Sequence, residues 1–468
     1  MQHYYHSVRL DMDKCKGCTT CLKRCPTEAI RIRNNRASIL NERCIDCGEC
    51  IKVCANHAKV AVTDPLESIK RFKYPIALPA PTLYAQFQGV HQPEPIIASL
   101  FRLGFVDVFE VARAAEIVSY AISRAMREED RPKPVISSAC PAILRLIQVR
   151  FPALLDNVID FVSPMEAAAK IAKEEYAQKH GVDKADVGVF FITPCAAKMT
   201  AVKSPVGQEK SHVDGVIAIK DVYAQMRAAM KQGFSPLEID RASVVGIKWA
   251  IPGGEVEAVG IKSSLCVDGI DNVINVLEAI EDARFRNLTY FEGLACVNGC
   301  LGGALTGENS FVAKNRLRSV MNRTLQKTVQ RREIFEDAVQ TLRMTRPIEP
   351  SDALQLSGTM KERIEREERI ERLTRGLPGL DCGSCGSPSC RALAEDIVNG
   401  YANELNCVFR LNDRINSLAA EMLTLGTSTR YTTGEDMARL RRLHDELSRS
   451  EPSEAPDGGA DDDGGDST

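Results

Sequence analysis

Nowhere does the sequence run apolar for about 18 residues, so it offers no candidate for a membrane-spanning helix. A charge excess is missing too. Sixty Lys and Arg oppose 63 Asp and Glu, a formal net charge of −3, which gives no basic field for nucleic acid. The opening stretch MQHYYHSVRLDMDKCKGC has neither an apolar leader core nor a twin-arginine pair. The expected compartment is therefore the cytoplasm, with no membrane partner. The single Trp249 is expected in the core or in a pocket wall. The seven histidines show no ligand spacing, and His3, His6 and His57 are expected at the surface.

What the chain has in excess is cysteine, 17 in all. In a reducing compartment such cysteines more often hold metal than form disulfides. They are clustered as ligands are. Cys15-x-x-Cys18-x-x-Cys21-x-x-x-Cys25-Pro26 returns as Cys44-x-x-Cys47-x-x-Cys50-x-x-x-Cys54, an internal repeat within residues 1–65. One tight C-x2-C-x2-C loop delivers three thiolates to a cubane cluster, and the cysteine that follows ligates the other cluster. Cys15, Cys18, Cys21 and Cys54 are thus expected to hold one [4Fe–4S] cluster, and Cys44, Cys47, Cys50 and Cys25 a second. Zinc is the alternative, but it rarely uses this doubled spacing. The segment resembles a bacterial two-cluster ferredoxin, with Ala55 where the second motif usually has Pro.

From 66 to 345 apolar runs such as YPIALPAP, PVISSAC and VGVFFITPC alternate with helical stretches such as EAAAKIAKEEYAQKH. That alternation predicts an α/β domain with a largely parallel sheet. Cys140 lies in SSACPA, Cys195 in TPCAAK, and Cys296 with Cys300 in EGLACVNGCLGG. Alone, each reads as a buried small side chain. Together and in order they resemble the three signatures of [FeFe]-hydrogenases, T-S-C-C-P, M-P-C-x-x-K-x-x-E and E-x-M-A-C-x-x-x-C-x-G-G. WAIPGGEVEA likewise resembles the family's F-G-A-T-G-G-V-M-E-A.

The resemblance implies an H-cluster. Its [4Fe–4S] cube would be held by Cys140, Cys195, Cys296 and Cys300, with Cys300 bridging to a two-iron subsite bearing CO, cyanide and a dithiolate. Lys198 matches the lysine that donates to a cyanide ligand there. The stretches around Ala80–Pro81 and Ser163–Pro164 match other pocket-lining segments. Gly302 and Gly303 are expected to let the backbone approach the cofactor.

Departures from the family pattern bear on function. Ala139 stands where catalytic members carry a proton-passing cysteine, and Ala201 where the resemblance places a relay glutamate. Thr193 and Leu294 replace two pocket methionines. Alanine neither donates nor accepts a proton, and losing a positioned proton-transfer group costs about 10²–10⁴ in rate. Thr193, Ser138 or water remain as other routes.

Cys382-x-x-Cys385, Cys390 and Cys407 resemble a small iron–sulfur domain that binds one further [4Fe–4S], with a zinc knuckle as the alternative. Cys266 is left without a partner and is expected to be a buried structural residue. Glu362/Arg366, Glu365/Arg369, Glu368/Arg372 and Glu371/Arg375 repeat the favourable i,i+4 order, predicting a charged, solvated helix before that domain. Leu411, Ile415, Leu418, Met422 and Leu425 then form a short heptad seam, expected to pack within the chain more often than between chains. A second helix is predicted from Thr432, and the acidic stretch from Glu451 is expected to be disordered.

The fold expected is an α/β two-lobed hydrogenase-type catalytic domain (66–345), preceded by an α+β 2[4Fe–4S] ferredoxin domain (1–65). A charged helical linker (346–378), a small α-helical C-terminal [4Fe–4S] domain (379–410), a helical pair (411–449) and an acidic tail (450–468) follow. The cofactors expected are three [4Fe–4S] clusters and an H-cluster. The resemblance, with the two alanines, implies a low-turnover hydrogen or redox sensor of the branch without a PAS module. Its partners would be a redox protein such as a ferredoxin, a kinase, phosphatase or other regulatory protein, and the H-cluster maturation enzymes. A homodimer through the C-terminal helices is a further option. The alternatives are a ferredoxin-linked catalytic [FeFe]-hydrogenase (2H⁺ + 2e⁻ to H₂) with an unusual proton path, and a non-catalytic iron–sulfur protein of the Narf type.

Overall fold

Residues 4–233, 240–324, 338–354 and 358–428, with 434–436, 438–439 and 441–442, are described in the computed structural model. It divides into two units, Met1–Ser357 and Gly358–Thr468. His3, most of the second C-terminal helix and the acidic tail lie outside the described residues.

The repeated cysteine segment folds on two short ribbons. Strands β1 (Val8–Leu10), β2 (Ile30–Arg33), β3 (Arg36–Ile39) and β4 (Lys59–Ala61) pair antiparallel as β1 with β4 and β2 with β3. The third cysteine of each motif, Cys21 or Cys50, falls on a one-turn helix, Thr20–Lys23 or Glu49–Lys52.

Seven further strands follow: β5 (Tyr74–Pro79), β6 (Asp107–Val108), β7 (Val135–Ile136), β8 (Val187–Thr193), β9 (Gly215–Ala218), β10 (Ser264–Asp268) and β11 (Tyr290–Leu294). They form two all-parallel sheets, ordered β6-β5-β8-β9 and β10-β11-β7, which make the domain two-lobed. The continuous apolar run of β8 is what a parallel strand covered on both faces requires, and every residue of it is buried. Side chains alternate with period two. Ile76, Leu78, Val187, Val189 and Phe191 join the core formed with helices Val111–Glu128 and Pro164–His180. Ala77, Phe190 and Ile192 join the opposite core, with helices Glu94–Arg102, Ile219–Met230 and Ser310–Met321. In the smaller sheet Ile136 and Phe291 pack on helices Pro141–Arg150 and Ile270–Glu281.

Because both sheets are parallel, their carboxyl ends gather the loops that carry cysteine. β7 leads into Cys140, β8 into Cys195 and β11 into Cys296, the position where open α/β sheets place ligands. The ferredoxin-like segment packs against these loops. A Cβ added at Gly48 would lie 2.7 Å from Ala304 Cβ, and Lys52 Nζ donates to the Gly302 carbonyl at 3.4 Å.

In the second unit, helix Met360–Gly376 opens on a full capping box between Thr359 and Glu362. Glu368–Arg372 and Glu371–Arg375 form i,i+4 pairs at 3.8 and 3.4 Å. Most of this helix is solvated, yet it buries Ile370 and pairs Glu367 with Arg391 of helix Cys390–Val398 at 2.6 Å. Along helix Val408–Ser428 the seam residues Leu411, Ile415, Leu418 and Met422 are exposed.

Candidate metal centres and the central cavity

The N-terminal cysteines gather in two groups. Cys15, Cys18 and Cys54 surround Cys21, and Cys25 lies among Cys44, Cys47 and Cys50. The fourth member of each group comes from the other half of the repeat. Burial pushes the Cys44 and Cys47 thiols well up and the Cys50 thiol to about 12, with neighbouring thiols adding to the rise. Backbone N–H groups point at sulfur: Ala29 at Cys25 Sγ and Ala58 at Cys54 Sγ, both 3.2 Å, and Ala37 at Cys15 Sγ, 3.4 Å. Such donors suit a sulfur that carries negative charge. Cysteines gathered in fours, with backbone amides directed at some of the sulfurs, fit iron–sulfur clusters.

The central domain brings Cys140, Cys195, Cys296 and Cys300 to the wall of one cavity, and Cys47 reaches the same wall. Burial, then the neighbouring Cys140, pushes the Cys195 thiol to about 11, and the Cys300 thiol rises to about 12 for the same reasons. Cys296 is raised well above its usual value by burial, against the opposing charge of Lys52. Four cysteines on one wall, three of them with thiols raised by burial, beside apolar side chains such as Ala80, Pro81, Met165 and Leu294, fit a metal cluster that takes them as thiolates.

Lys198 lines the cavity and donates from Nζ to the Ala139 carbonyl at 3.1 Å. Trp249 forms part of the wall, its Nε1 donating to Ser119 Oγ at 3.0 Å. Ala139 faces both the cavity and a second, adjoining pocket, whereas Ala201 lines only the second. That pocket also reaches Ser138, Ser163 and Glu166. The Glu166 carboxylate is held there by Ser211 Oγ at 2.6 Å and the His212 amide at 2.9 Å. Thr193 is turned back on its own loop, accepting from the Cys195 amide at 3.0 Å, and Ser138 Oγ donates to the Phe161 carbonyl at 2.7 Å.

One expectation needs correction. His6 is not a surface residue: it is 3 % exposed, and its Nδ1 lies 2.8 Å from Asp46 Oδ2. Asp46 also accepts from the Val8 amide at 2.9 Å, so a partner distant in sequence is what holds the imidazole inside. Gly303 lines the cavity, and both glycines also make room for protein backbone: a Cβ on Gly302 would lie 2.1 Å from the Val297 carbonyl oxygen, and one on Gly303 2.3 Å from that of Pro194. Gly303 lets the loop of Cys300 close on that of Cys195, and Gly302 lets the loop of Cys296 and Cys300 close on itself. His57 is exposed as expected.

The sequence reading missed two buried carboxyls in the cavity wall, Glu255 and Glu292. Glu255 accepts from Ser137 Oγ at 2.7 Å and from Tyr290 OH at 2.6 Å. Ser137 Oγ in turn accepts from the Ala139 amide at 3.2 Å. Glu292 accepts from the amides of Gly253 and Val256, at 3.2 and 3.0 Å, and contacts Cys266. Burial pushes both carboxyls upward, and the charge of Glu255 raises Glu292 further. A signal was available: Glu255 stands where the quoted family motif G-G-V-M-E-A has valine.

In the second unit, Cys407 is buried and Cys382 exposed, and the Cys390 amide donates to Asp381 Oδ1 at 2.6 Å. Ser387 Oγ donates to the buried Asp396 at 2.8 Å, bracing the turn after Cys385.

Comparison with known proteins follows the same division. A family model described as "Iron only hydrogenase large subunit, C-terminal domain" matches residues 73–260, which hold Cys140 and Cys195 and stop short of Cys296. A "4Fe-4S dicluster domain" model matches 7–55, and a "Putative Fe-S cluster" model matches 377–409. The chain is 24 % identical over 384 residues to the NADP-reducing hydrogenase subunit HndD of Solidesulfovibrio fructosivorans, 65 % of this chain and 66 % of that one. It is 26 % identical over 289 residues to iron hydrogenase 1 of Clostridium pasteurianum, 54 % of this chain and 50 % of that one. Over 142 residues it is 24 % identical to the cytosolic Fe-S cluster assembly factor NAR1 homolog of Schizosaccharomyces japonicus, 30 % of this chain and 27 % of that one. The chain thus spans half to just under two thirds of the length of the two hydrogenases.

Proposed function

From the premise that this chain belongs to the [FeFe]-hydrogenase-like family of iron–sulfur proteins, we propose that it is a low-turnover sensor of dihydrogen or of redox state. In this reading Cys140, Cys195, Cys296 and Cys300 hold an H-cluster, and the other three cysteine quartets hold one [4Fe–4S] each. When bound, these groups supply electron storage and a site where dihydrogen is made or split. The protein's own residues hold and orient. Lys198 brings a charge and three donors to the cavity, one of them already directed at the Ala139 carbonyl.

The observation that carries the sensory reading is the pair of alanines. Ala139 and Ala201 line the cavity and its adjoining pocket at the two places where the family resemblance puts proton-passing groups. A site that binds but passes protons slowly suits reporting better than production. The chain would act in the cytoplasm, and its partners would be a ferredoxin-like electron carrier, a kinase or phosphatase that reads the state, and maturation enzymes.

A second reading, a working hydrogenase with a different proton path, is favoured by Glu255. Its carboxyl is linked through Ser137 to the Ala139 amide beside the cavity. Likeness to the assembly factor supports a third, non-catalytic reading, against which Lys198 and the complete N-terminal cysteine set weigh. Infrared spectra of the matured protein, followed by turnover with a reduced donor, separate the three. CO and cyanide bands with slow turnover are expected. Bands with fast turnover would support the second reading, and absent bands the third.

A further inference from the structure

The two halves of the N-terminal repeat share their backbone course but differ in chemical character at one buried position. Cys25-Pro26-Thr27-Glu28-Ala29-Ile30 answers to Cys54-Ala55-Asn56-His57-Ala58-Lys59. Glu28 and His57 both take left-handed backbone, with φ of 51° and 49°. Ala29 and Ala58 each donate an amide to the preceding cysteine sulfur at 3.2 Å. Ile30 and Lys59, each opening a strand, are both 2 % exposed. One half of the repeat therefore buries an apolar side chain, and the other buries an amine in the same place.

The amine has no hydrogen-bond partner among the described residues. Asp46, the nearby buried carboxylate, is held by His6, Ser7 and the Val8 amide instead. An ammonium taken out of water is strongly disfavoured unless an anion faces it. What Lys59 faces is sulfur from both quartets, Cys21 and Cys54 of one and Cys50 of the other.

We propose that Lys59 is a potential-setting residue, a fixed positive charge at the boundary of the two quartets that favours the reduced state of both clusters they hold. The inference rests on the reading that these quartets hold [4Fe–4S] clusters. Adding one electron makes each cluster more negative by one charge, and the buried cation stabilises that added charge with no proton taken up. Electrons would then rest in the N-terminal segment, within reach of an outside carrier.

The test uses the full chain, reconstituted anaerobically, with Lys59→Ile, Lys59→Gln and Lys59→Arg. Isoleucine is the residue the repeat itself uses at this place, so the fold should accept it. EPR-monitored redox titration gives the midpoints, and an iron assay gives the load. Expected is an unchanged iron content and a midpoint moved negative in Lys59→Ile, with Lys59→Arg close to the parent. At a fixed ambient potential the reduced fraction should fall about tenfold relative to the oxidised, about 59 mV for a one-electron couple. Should Lys59→Ile lose iron, the midpoint of Lys59→Gln decides in its place. Full clusters with an unmoved midpoint in the neutral variant would overturn the proposal. A parent chain that binds no iron at these quartets would overturn the cluster reading beneath it.

Discussion

Lys198 donates its Nζ hydrogen bond to the carbonyl oxygen of Ala139, 3.1 Å away, tying the cavity's cation to the residue that stands before the first central cysteine. The contact is to backbone, so any side chain at 139 keeps it. Position 139 can therefore be changed without releasing the lysine.

That independence makes the relay testable. Ala139→Cys returns a thiol to the cavity, and Ala201→Glu returns a carboxyl to the adjoining pocket. Groups that act as a unit are non-additive, so the pair should exceed the sum of the single changes. The double variant is expected to evolve hydrogen about tenfold faster or more than the parent with the same reduced donor. Equal and already high rates in both would remove the chemical basis of the sensory reading.

Glu255 gives a pH signature. Burial raises its carboxyl pKa above the unfolded value, so between the two values the folded chain keeps a proton that the unfolded chain has released. The contribution is whole below the ordinary carboxylate range and is lost as pH rises through the raised value. Glu255→Gln should therefore flatten the fall of Tm with rising pH, measured against the parent from about pH 4 to 8. The same variant should leave slow turnover unchanged. A drop of about 10²–10⁴ would point instead to Glu255 as a proton station.

Separate units should lose separate signals. Cys385→Ser is expected to remove one cluster's EPR signal while the infrared bands of the active site persist. Cys300→Ser should abolish those bands, since in the proposed reading it removes one of the thiolates that would hold the H-cluster. Loss of the bands in Cys385→Ser would mean that the Gly358 boundary does not separate the two centres.

Iron content follows from ligand counting. Matured protein is expected to carry about 18 Fe per chain, and protein made without maturation enzymes about 16. A value below about 12 after anaerobic reconstitution would remove at least one site from the assignment.

What was legible in the sequence was local. The doubled cysteine spacing is a ligand pattern within one loop, and β8 announces itself as a buried parallel strand by an unbroken apolar run. Placement of Cys140 and Cys195 after β7 and β8 followed from the apolar runs PVISSAC and VGVFFITPC, which end in cysteine. What was illegible depended on partners far away in the chain. His6 looks like a surface histidine until Asp46, 40 residues on, closes over it. Glu255 reads as an ordinary helix carboxylate until Ser137, 118 residues earlier, and Tyr290, 35 residues later, enclose it. Lys59 carries no sign of burial except through its counterpart Ile30, a comparison available only because the segment repeats.

The contact of Gly48 with Ala304 has a kinetic meaning. With Cys47 in the cavity wall, the N-terminal cysteines and the central ones belong to one compact unit. In the proposed reading, electron passage between the two would then be a first-order event. Its rate should be the same in a dilute solution as in a concentrated one, and indifferent to solvent viscosity, while delivery from an outside donor keeps its dependence on both.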